Sequence, residues 1–123
     1  MESADKELVD KKVYQSLLYD FYGGLLKEHH RSIYEDYIFN DLSLSEIADY
    51  QNISRQGVHD IIKRTTNQLV KYESDLHLVE KYSKIKECIK KGLESTESLN
   101  ETLKDNKDLK DIQDIFHMID DMI

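Results

Sequence analysis

The chain has 123 residues, with 25 acidic and 17 basic side chains, a formal net charge of −8, no proline and one cysteine. This length supports one domain with a helical extension, and a single cysteine excludes an intramolecular disulfide. No apolar run approaches the ~18 residues of a membrane span, and the charged N-terminus lacks the apolar core of a signal peptide. We therefore expect a cytoplasmic protein without a membrane partner. Aliphatic side chains recur at helical spacing, which predicts an all-α fold.

The negative charge is distributed unevenly along the chain. Residues 1–42 carry nine acids and five bases (net −4), residues 73–123 carry thirteen and eight (net −5), and residues 43–72 carry three and four (net +1). Phosphate contacts supply most of the non-specific affinity for nucleic acids. Only the central segment therefore has a charge that suits a nucleic-acid partner.

Two helices are predicted before this central segment. The first covers residues 5–22 and ends at the Gly23-Gly24 pair, because two residues without side chains make continuation costly. The second covers residues 26–39. Its adjacent His29 and His30 point about 100° apart, which predicts two solvated side chains rather than a shared metal site. The predicted core-facing residues are Val9, Val13 or Tyr14, Leu17, Leu18, Phe21 and Tyr22 in the first helix, and Leu26, Ile33, Tyr34, Tyr37 and Ile38 in the second.

Residues 42–64 have the pattern of two helices joined by a tight turn. Ser43 and Glu46 stand at capping-box spacing, which predicts the first helix start, and Asn52 suits a left-handed turn. Ser54 is the predicted N-cap of the second helix. The small Ala48 suits a close helix crossing. The residues predicted to face the core are Ile47, Ala48, Ile53, Val58, Ile61 and Ile62.

This arrangement predicts a helix-turn-helix, in which the second helix is the recognition helix that enters the major groove of DNA. The opposite edge of that helix is polar throughout. Its residues are Arg55, Gln56, His59, Asp60 and Lys63. The alternative is a helical hairpin that packs but binds nothing.

The helix that begins after Ser54 has no early stop signal. Because the phase of its apolar positions slips after Val79, we predict a break or kink within residues 73–83. Gly92 and Ser95 predict the next helix end, and residues 97–105 are predicted to form a short separate helix. Cys88 is predicted to be a half-buried helix residue.

The last helix is predicted to begin near Asp108 and is strongly amphipathic. Its apolar face consists of Leu109, Ile112, Ile115, Phe116, Ile119, Met122 and Ile123. The other face is almost entirely acidic residues and lysine. Such a face must return to the chain's own core, pair with a second copy, or dock on a partner.

The sequence contains no set of residues with the spacing of a catalytic or metal site. There is no glycine-rich phosphate loop, and the histidines have no partners at metal-ligand spacing. Residues 105–114 are rich in aspartate but lack the central glycine and the closing glutamate of a calcium loop. We therefore expect a protein that is not an enzyme and that uses no metal, cofactor or small-molecule substrate.

Residues 18–78 closely resemble the YlxM family of small bacterial proteins, most clearly in the runs LYDFY, LSLSEIA and SRQGV. The portion 25–71 is also similar to region 4 of bacterial sigma factors, which reads the −35 promoter element. The resemblance implies DNA binding through this module. It also implies a role in the signal recognition particle pathway, because the family's genes lie beside those of the particle, and an effect on the particle's GTPase through its RNA.

The resemblance also assigns roles to residues of the second helix. The sigma-like module contacts bases and phosphates with the residues just after the N-cap and on the next outward turn, which here are Arg55, Gln56, His59 and Asp60. Lys63 and Arg64 follow as phosphate contacts. By bidentate geometry Arg55 suits a guanine edge and Gln56 an adenine edge.

Two hypotheses follow from the sequence. The first is a regulatory DNA-binding protein, in which residues 1–72 form a sigma region 4-like helix-turn-helix domain without a wing, and residues 73–123 form amphipathic C-terminal helices that pack or dimerise. The second is an adapter that contacts signal recognition particle RNA or protein without reading DNA sequence. The C-terminal helices are a candidate homodimer surface, and a further possibility is an adapter that dimerises and binds only a protein.

Overall fold

The computed structural model describes residues 2–103 and 106–123, with side chains from residue 10 onward. No strand occurs in these ranges, which confirms the predicted all-α class. The helices are α1 (Glu2–Tyr22), α2 (Glu28–Ile38), α3 (Leu44–Gln51), α4 (Arg55–Leu76), α5 (Leu78–Thr102) and α6 (Lys107–Met122), with a 3-10 turn at Gly23–Leu25. By internal packing the chain divides into two compact units, Met1–Val79 and Glu80–Ile123.

The first unit is built around α4, which packs against α1, α2 and α3. Its buried cluster consists of Leu18, Tyr22, Leu26, Ile33, Tyr34, Ile47, Ala48, Val58, Ile62, Leu69 and Val79. Leu17, Tyr37, Ile38, Ile53 and Ile61 pack against this cluster while remaining partly exposed. The predicted core of the helix-turn-helix segment is therefore confirmed.

The start and end of α3 follow the predicted local chemistry. Ser43 Oγ accepts from Glu46 N at 3.1 Å, and Glu46 Oε1 accepts from Ser43 N at 3.2 Å, so the capping box is complete. Asn52 ends the helix in the left-handed conformation, with φ 56° and ψ 43°. Ser54 Oγ then accepts from Gly57 N at 3.0 Å and caps α4. These hydrogen bonds satisfy N–H groups that a helix start otherwise leaves without partners.

One prediction for α1 is wrong. Val13, Tyr14 and Phe21 are exposed, whereas the polar Gln15 is only 3% exposed. Gln15 lies where α1 meets α4, and its Nε2 lies 3.5 Å from Thr66 Oγ1, which also bonds the hydroxyl of buried Tyr34 at 2.8 Å. The α1–α4 contact is thus partly polar, and apolar periodicity does not detect a contact of that kind. The side chain of Val9 lies outside the described residues.

The predicted break between α4 and α5 is confirmed and lies at His77, which is left-handed with φ 56°. Buried Tyr22 donates its hydroxyl to Glu73 Oε1 at 2.6 Å and accepts from Leu78 N at 3.1 Å. Glu73 Oε1 also accepts from Val79 N at 2.9 Å. The first N–H groups of α5 are therefore satisfied by side chains of α1 and α4, which stabilises the break.

The predictions for the following segment are wrong. Helix α5 continues through Gly92 and Ser95 to Thr102, so residues 97–102 belong to it, and Asp105 lies outside the described residues. A Cβ at position 92 would collide with the ring of Phe116. Gly92 is therefore a site of close approach between α5 and α6, where a missing side chain makes room, rather than a helix end.

The second unit pairs α5 with α6 through few buried residues. Ile89, Thr96 and Leu109 are buried in it, and Lys86 Nζ binds Asp120 Oδ1 at 2.6 Å, which raises the pKa of Lys86. Most of the apolar face of α6 remains exposed, including Ile115 at 54% and Met122 at 76%. Cys88 is exposed, so the prediction that it is half-buried is wrong.

Candidate nucleic-acid interface

The first three turns of α4 present one buried and one exposed face. Val58 and Ile62 are buried in the core of the first unit. Every predicted contact residue points away from that core and is exposed: Arg55, Gln56, His59, Asp60, Lys63 and Arg64. The cap at Ser54 and the left-handed turn at Asn52 fix where this helix begins, and therefore which side chains face outward.

Asp60 occupies the middle of the exposed face and engages two of its neighbours. Gln56 Nε2 donates to Asp60 Oδ1 at 3.0 Å, and His59 Nδ1 lies 3.6 Å from the same oxygen. The amide of Gln56 is thus held by a carboxylate one helical turn away. A bidentate contact from Gln56 to adenine requires this hydrogen bond to break.

The basic residues of α4 border a surface depression, and His30 of α2 lies near one of them. Lys63, Arg64, Asp60 and Asn67 line a surface depression of about 300 Å³. His30 is half-buried, so the prediction of two solvated histidines is wrong for this residue. Burial lowers the pKa of His30, as do the nearby positive charges of His29, Lys27 and Arg64. The start of α2 therefore lies close enough to Arg64 for its charge to disfavour protonation of His30.

Two lysines near the face were missed by sequence reasoning. Lys27 stands at the N-cap of α2, and Lys11 shares the wall of one cavity with His59 and Lys63 of α4. Both residues belong to segments with a net negative charge in sequence. Only the packing of α1 and α2 against α4 brings them to this side of the molecule, so no local pattern identifies them.

Within residues 2–103 and 106–123, no group of three or more His, Cys, Asp or Glu side chains has the geometry to hold a metal ion. Nor does that part of the chain include a helix with the length and apolar character required to cross a membrane.

Comparison with known proteins identifies the family. The family model described as "Putative helix-turn-helix protein, YlxM / p13 like" (UPF0122) matches residues 9–118. A UPF0122 protein from Thermoanaerobacter sp. (strain X514) is 39% identical over 113 residues, covering 92% of this chain and 97% of the relative.

Further relatives also belong to the UPF0122 family. A UPF0122 protein from Caldanaerobacter subterraneus subsp. tengcongensis is 48% identical over 87 residues, covering 65% of this chain and 74% of the relative. One from Clostridium acetobutylicum is 35% identical over 107 residues, covering 87% and 92%. The match to the family model extends well beyond the helix-turn-helix and includes α5 and most of α6. The chain therefore belongs to the UPF0122 family of YlxM/p13-like helix-turn-helix proteins.

Proposed function

We propose that this protein is a non-enzymatic, cytoplasmic regulator that binds duplex DNA through the exposed face of α4. The observation that carries the proposal is the polar row on the recognition helix, opposite a face buried in the core. Helix-turn-helix proteins place such a face in the major groove. In this proposal residues 1–72 are the binding domain and residues 73–123 serve packing or dimerisation.

The proposed contacts divide into base and phosphate contacts. Arg55 binds a guanine edge, and Gln56 binds an adenine edge once its hydrogen bond to Asp60 is broken. Lys63, Arg64 and Lys71, all exposed, neutralise phosphates and fix the register of the helix in the groove. His59, exposed between Arg55 and Lys63, lies within the same contact surface.

Asp60 weakens binding in this proposal, because its carboxylate repels phosphate and holds Gln56. We expect Asp60→Asn to bind random duplex DNA several-fold more tightly than the natural protein at low salt. The same change at exposed Asp49 of α3 is the charge-matched control. Equal effects of the two changes would show that net charge, rather than this position, sets the affinity.

The main test compares two variants that each remove two positive charges. Arg55→Ala with Lys63→Ala alters the proposed face, and Lys81→Ala with Lys90→Ala alters exposed lysines of α5. We expect the first variant to lower affinity for labelled random duplex DNA by about 10-fold or more, and the second to change it little. Affinity of the natural protein is expected to fall steeply between about 50 and 200 mM salt. Equal losses in both variants would contradict the proposal.

A second candidate function is supported by a different observation. Ile112, Ile115, Met118 and Met122 of α6 are each more than 40% exposed, a larger apolar surface than isolated exposed side chains create. We propose that this face pairs with a second copy or docks on a component of the signal recognition particle. In that case the helix-turn-helix serves as a scaffold.

Sedimentation measurements distinguish these roles for α6. If the face is a dimer surface, Ile115→Asp with Met122→Asp should convert a dimer into a monomer. If it is a docking surface for the particle, the natural protein should be monomeric and should lose binding to the particle in the same variant. A monomer that binds the particle equally well in both forms would exclude both roles.

A further inference from the structure

Helices α5 and α6 of the second unit approach each other at one closely packed point. A Cβ at Gly92 would collide with the ring of Phe116, so this ring lies directly against the backbone of α5. The ion pair between Lys86 Nζ and Asp120 Oδ1, at 2.6 Å, is a second contact between the same helices. Together the two contacts fix which side of each helix faces the other.

The exposed apolar residues of α5 lie beside this point of approach. Ile85 and Leu99 stand seven residues before and seven residues after Gly92. Seven residues are close to two full turns of an α-helix, so the three residues form one row along α5. Ile85 is 40% exposed and Leu99 is 49% exposed. The row therefore begins at the α6 contact and remains open on both sides of it.

The exposed apolar residues of α6 adjoin the same row. Ile112 stands four residues before Phe116 and Ile119 stands three residues after it, so both lie next to its ring on the helix surface. Because this ring lies against Gly92, the apolar rows of the two helices adjoin. We call their combined surface the α5–α6 face. Its exposed members are Ile85, Leu99, Ile112, Ile115, Ile119 and Met122.

The area of the α5–α6 face is large for a protein that acts as a monomer. Its six side chains are 37–76% exposed, which amounts to roughly 600 Å² of surface per chain at about 200 Å² for each fully exposed residue, and monomers rarely leave a larger apolar patch uncovered. Two copies of the face would bury roughly 1,200 Å² in total, which reaches the range of stable protein–protein interfaces before any polar rim is counted.

The charges of the two helices favour one arrangement of two copies. Helix α5 carries five lysines and five glutamates and is neutral, whereas α6 carries two lysines and five aspartates and has a net charge of −3. Packing α6 on α6 would bring two negative helices together, but packing α6 on α5 would not. The negative charge of α6 also disfavours a nucleic-acid strand or an anionic lipid surface at this face.

We propose that the α5–α6 face binds a second copy of the chain. Two helix pairs then close into an antiparallel four-helix bundle, in which each α6 lies on α5 of the other copy. An identical pair matches the face in length, in apolar area and in charge. The inference rests on the second candidate function and deepens it, because it extends the surface from α6 to α5 and assigns it to a second copy rather than to a component of the signal recognition particle.

Sedimentation under reducing conditions tests the occupant of the face. At micromolar concentration the natural protein should sediment at twice the 14.5 kDa of one chain. Leu99→Asp and Ile115→Asp should each raise the dissociation constant of the dimer about 100-fold or more, because each places an unpaired charge in the core of the bundle. Val13→Asp, at a position of the first unit that is 55% exposed, is the control for Ile115, which is 54% exposed, and should leave the dimer unchanged.

Two results would contradict this expectation. A natural protein that is monomeric at this concentration would overturn the proposal, and its binding to the signal recognition particle would identify the particle as the occupant. Dissociation by Ile115→Asp but not by Leu99→Asp, with unchanged helix content by circular dichroism, would show that the copies pair through α6 alone. That result would overturn the four-helix bundle and leave a dimer.

The single natural cysteine tests the arrangement of the copies in a second way. Cys88 is exposed and stands three residues after Ile85, beside the α5–α6 face. Ile115→Cys supplies a thiol on α6. Mild oxidation should link Ile115→Cys into a covalent dimer and should not link the same variant with Cys88→Ser. A covalent dimer that persists without Cys88, or no covalent dimer in either variant, would overturn the packing of α6 on α5.

Failure of this inference can be distinguished from failure of the DNA-binding proposal. Arg55→Ala with Lys63→Ala alters the first unit, so this variant should remain a dimer while its affinity for duplex DNA falls. A natural protein that dimerises but binds no duplex would overturn the function proposed for α4 and support this inference. A monomer that binds duplex would overturn this inference and leave the function of α4 intact.

Discussion

The two compact units of this chain are both built from amphipathic helices, but they differ in how much of the apolar surface of those helices they bury. In the first unit, α4 lies among three other helices, and Leu18, Ile47 and Val58 are fully buried. In the second unit, Ile89, Thr96 and Leu109 are buried, while most of the apolar face of α6 is exposed. Helix α5 leaves most of the apolar face of α6 uncovered, whereas the helices of the first unit enclose a shared core. The first unit is therefore a self-sufficient core, and the second retains a surface that suits a partner.

The strongest test of this contrast is truncation of one isoleucine in each unit. Ile47→Ala should lower the free energy of unfolding by about 2–5 kcal/mol, because it leaves a cavity in a closed core. Ile115→Ala, at a position 54% exposed, should change it by no more than about 0.5 kcal/mol in the monomer. Urea denaturation, monitored by tyrosine fluorescence, measures the free energy of unfolding, since seven of the eight tyrosines lie in the first unit. Similar losses in the free energy of unfolding at both positions would contradict the inference that only the first unit has a closed core.

A smaller effect is expected where the first unit ends. Tyr22→Phe removes the hydroxyl that donates to Glu73 and accepts from Leu78 N, so the start of α5 loses a partner. We expect a loss of about 1–3 kcal/mol in the free energy of unfolding and faster amide exchange at Leu78. Tyr50→Phe, the same change at a position 84% exposed, is the control. Unchanged exchange at Leu78 would show that the break at His77 does not depend on this hydroxyl.

The core of the first unit should also respond to alkaline pH. Burial raises the pKa of Tyr34 from 10.0 to about 12, although its hydrogen bond with Thr66 acts in the opposite direction. Between these values the unfolded chain loses the proton while the folded chain keeps it, so the stability present below pH 10 is lost as pH rises towards 12. The expected slope is about −1 kcal/mol per pH unit, which urea midpoints followed by circular dichroism can measure.

In the Tyr34→Phe variant this slope should be smaller. Some alkaline loss should remain, because burial also raises the pKa values of Tyr22 and Tyr19. An identical slope in the variant and the natural protein would show that Tyr34 is not shielded from water.

The sequence predicted the helix-turn-helix closely because its signals are local. Ser43, Glu46, Asn52 and Ser54 act within three or four residues of themselves, and capping and turn chemistry operates at that range. The exposed row on α4 follows once the helix start is fixed. Such features can be predicted without knowing what packs on the helix.

The predictions from sequence were wrong where the environment of a residue depends on segments that are distant along the chain. Gly92 resembles a helix end until the ring of Phe116 is placed against it. The predicted core face of the first helix omitted Gln15, which is buried where α1 packs on Thr66 of α4. Lys11 could not be assigned to the candidate site for the same reason, because the cavity that it shares with Lys63 is formed by tertiary packing.

We propose that the outward face of α4 binds duplex DNA and that α6 does not. The most direct measurement is an NMR titration of the full chain with a short random-sequence duplex at low salt, followed at every backbone amide. The expected result is that the largest shifts occur within residues 55–64, with no change within residues 107–122. Shifts confined to α6, with residues 55–64 unaffected, would contradict the claim and identify the C-terminal helices as the binding surface.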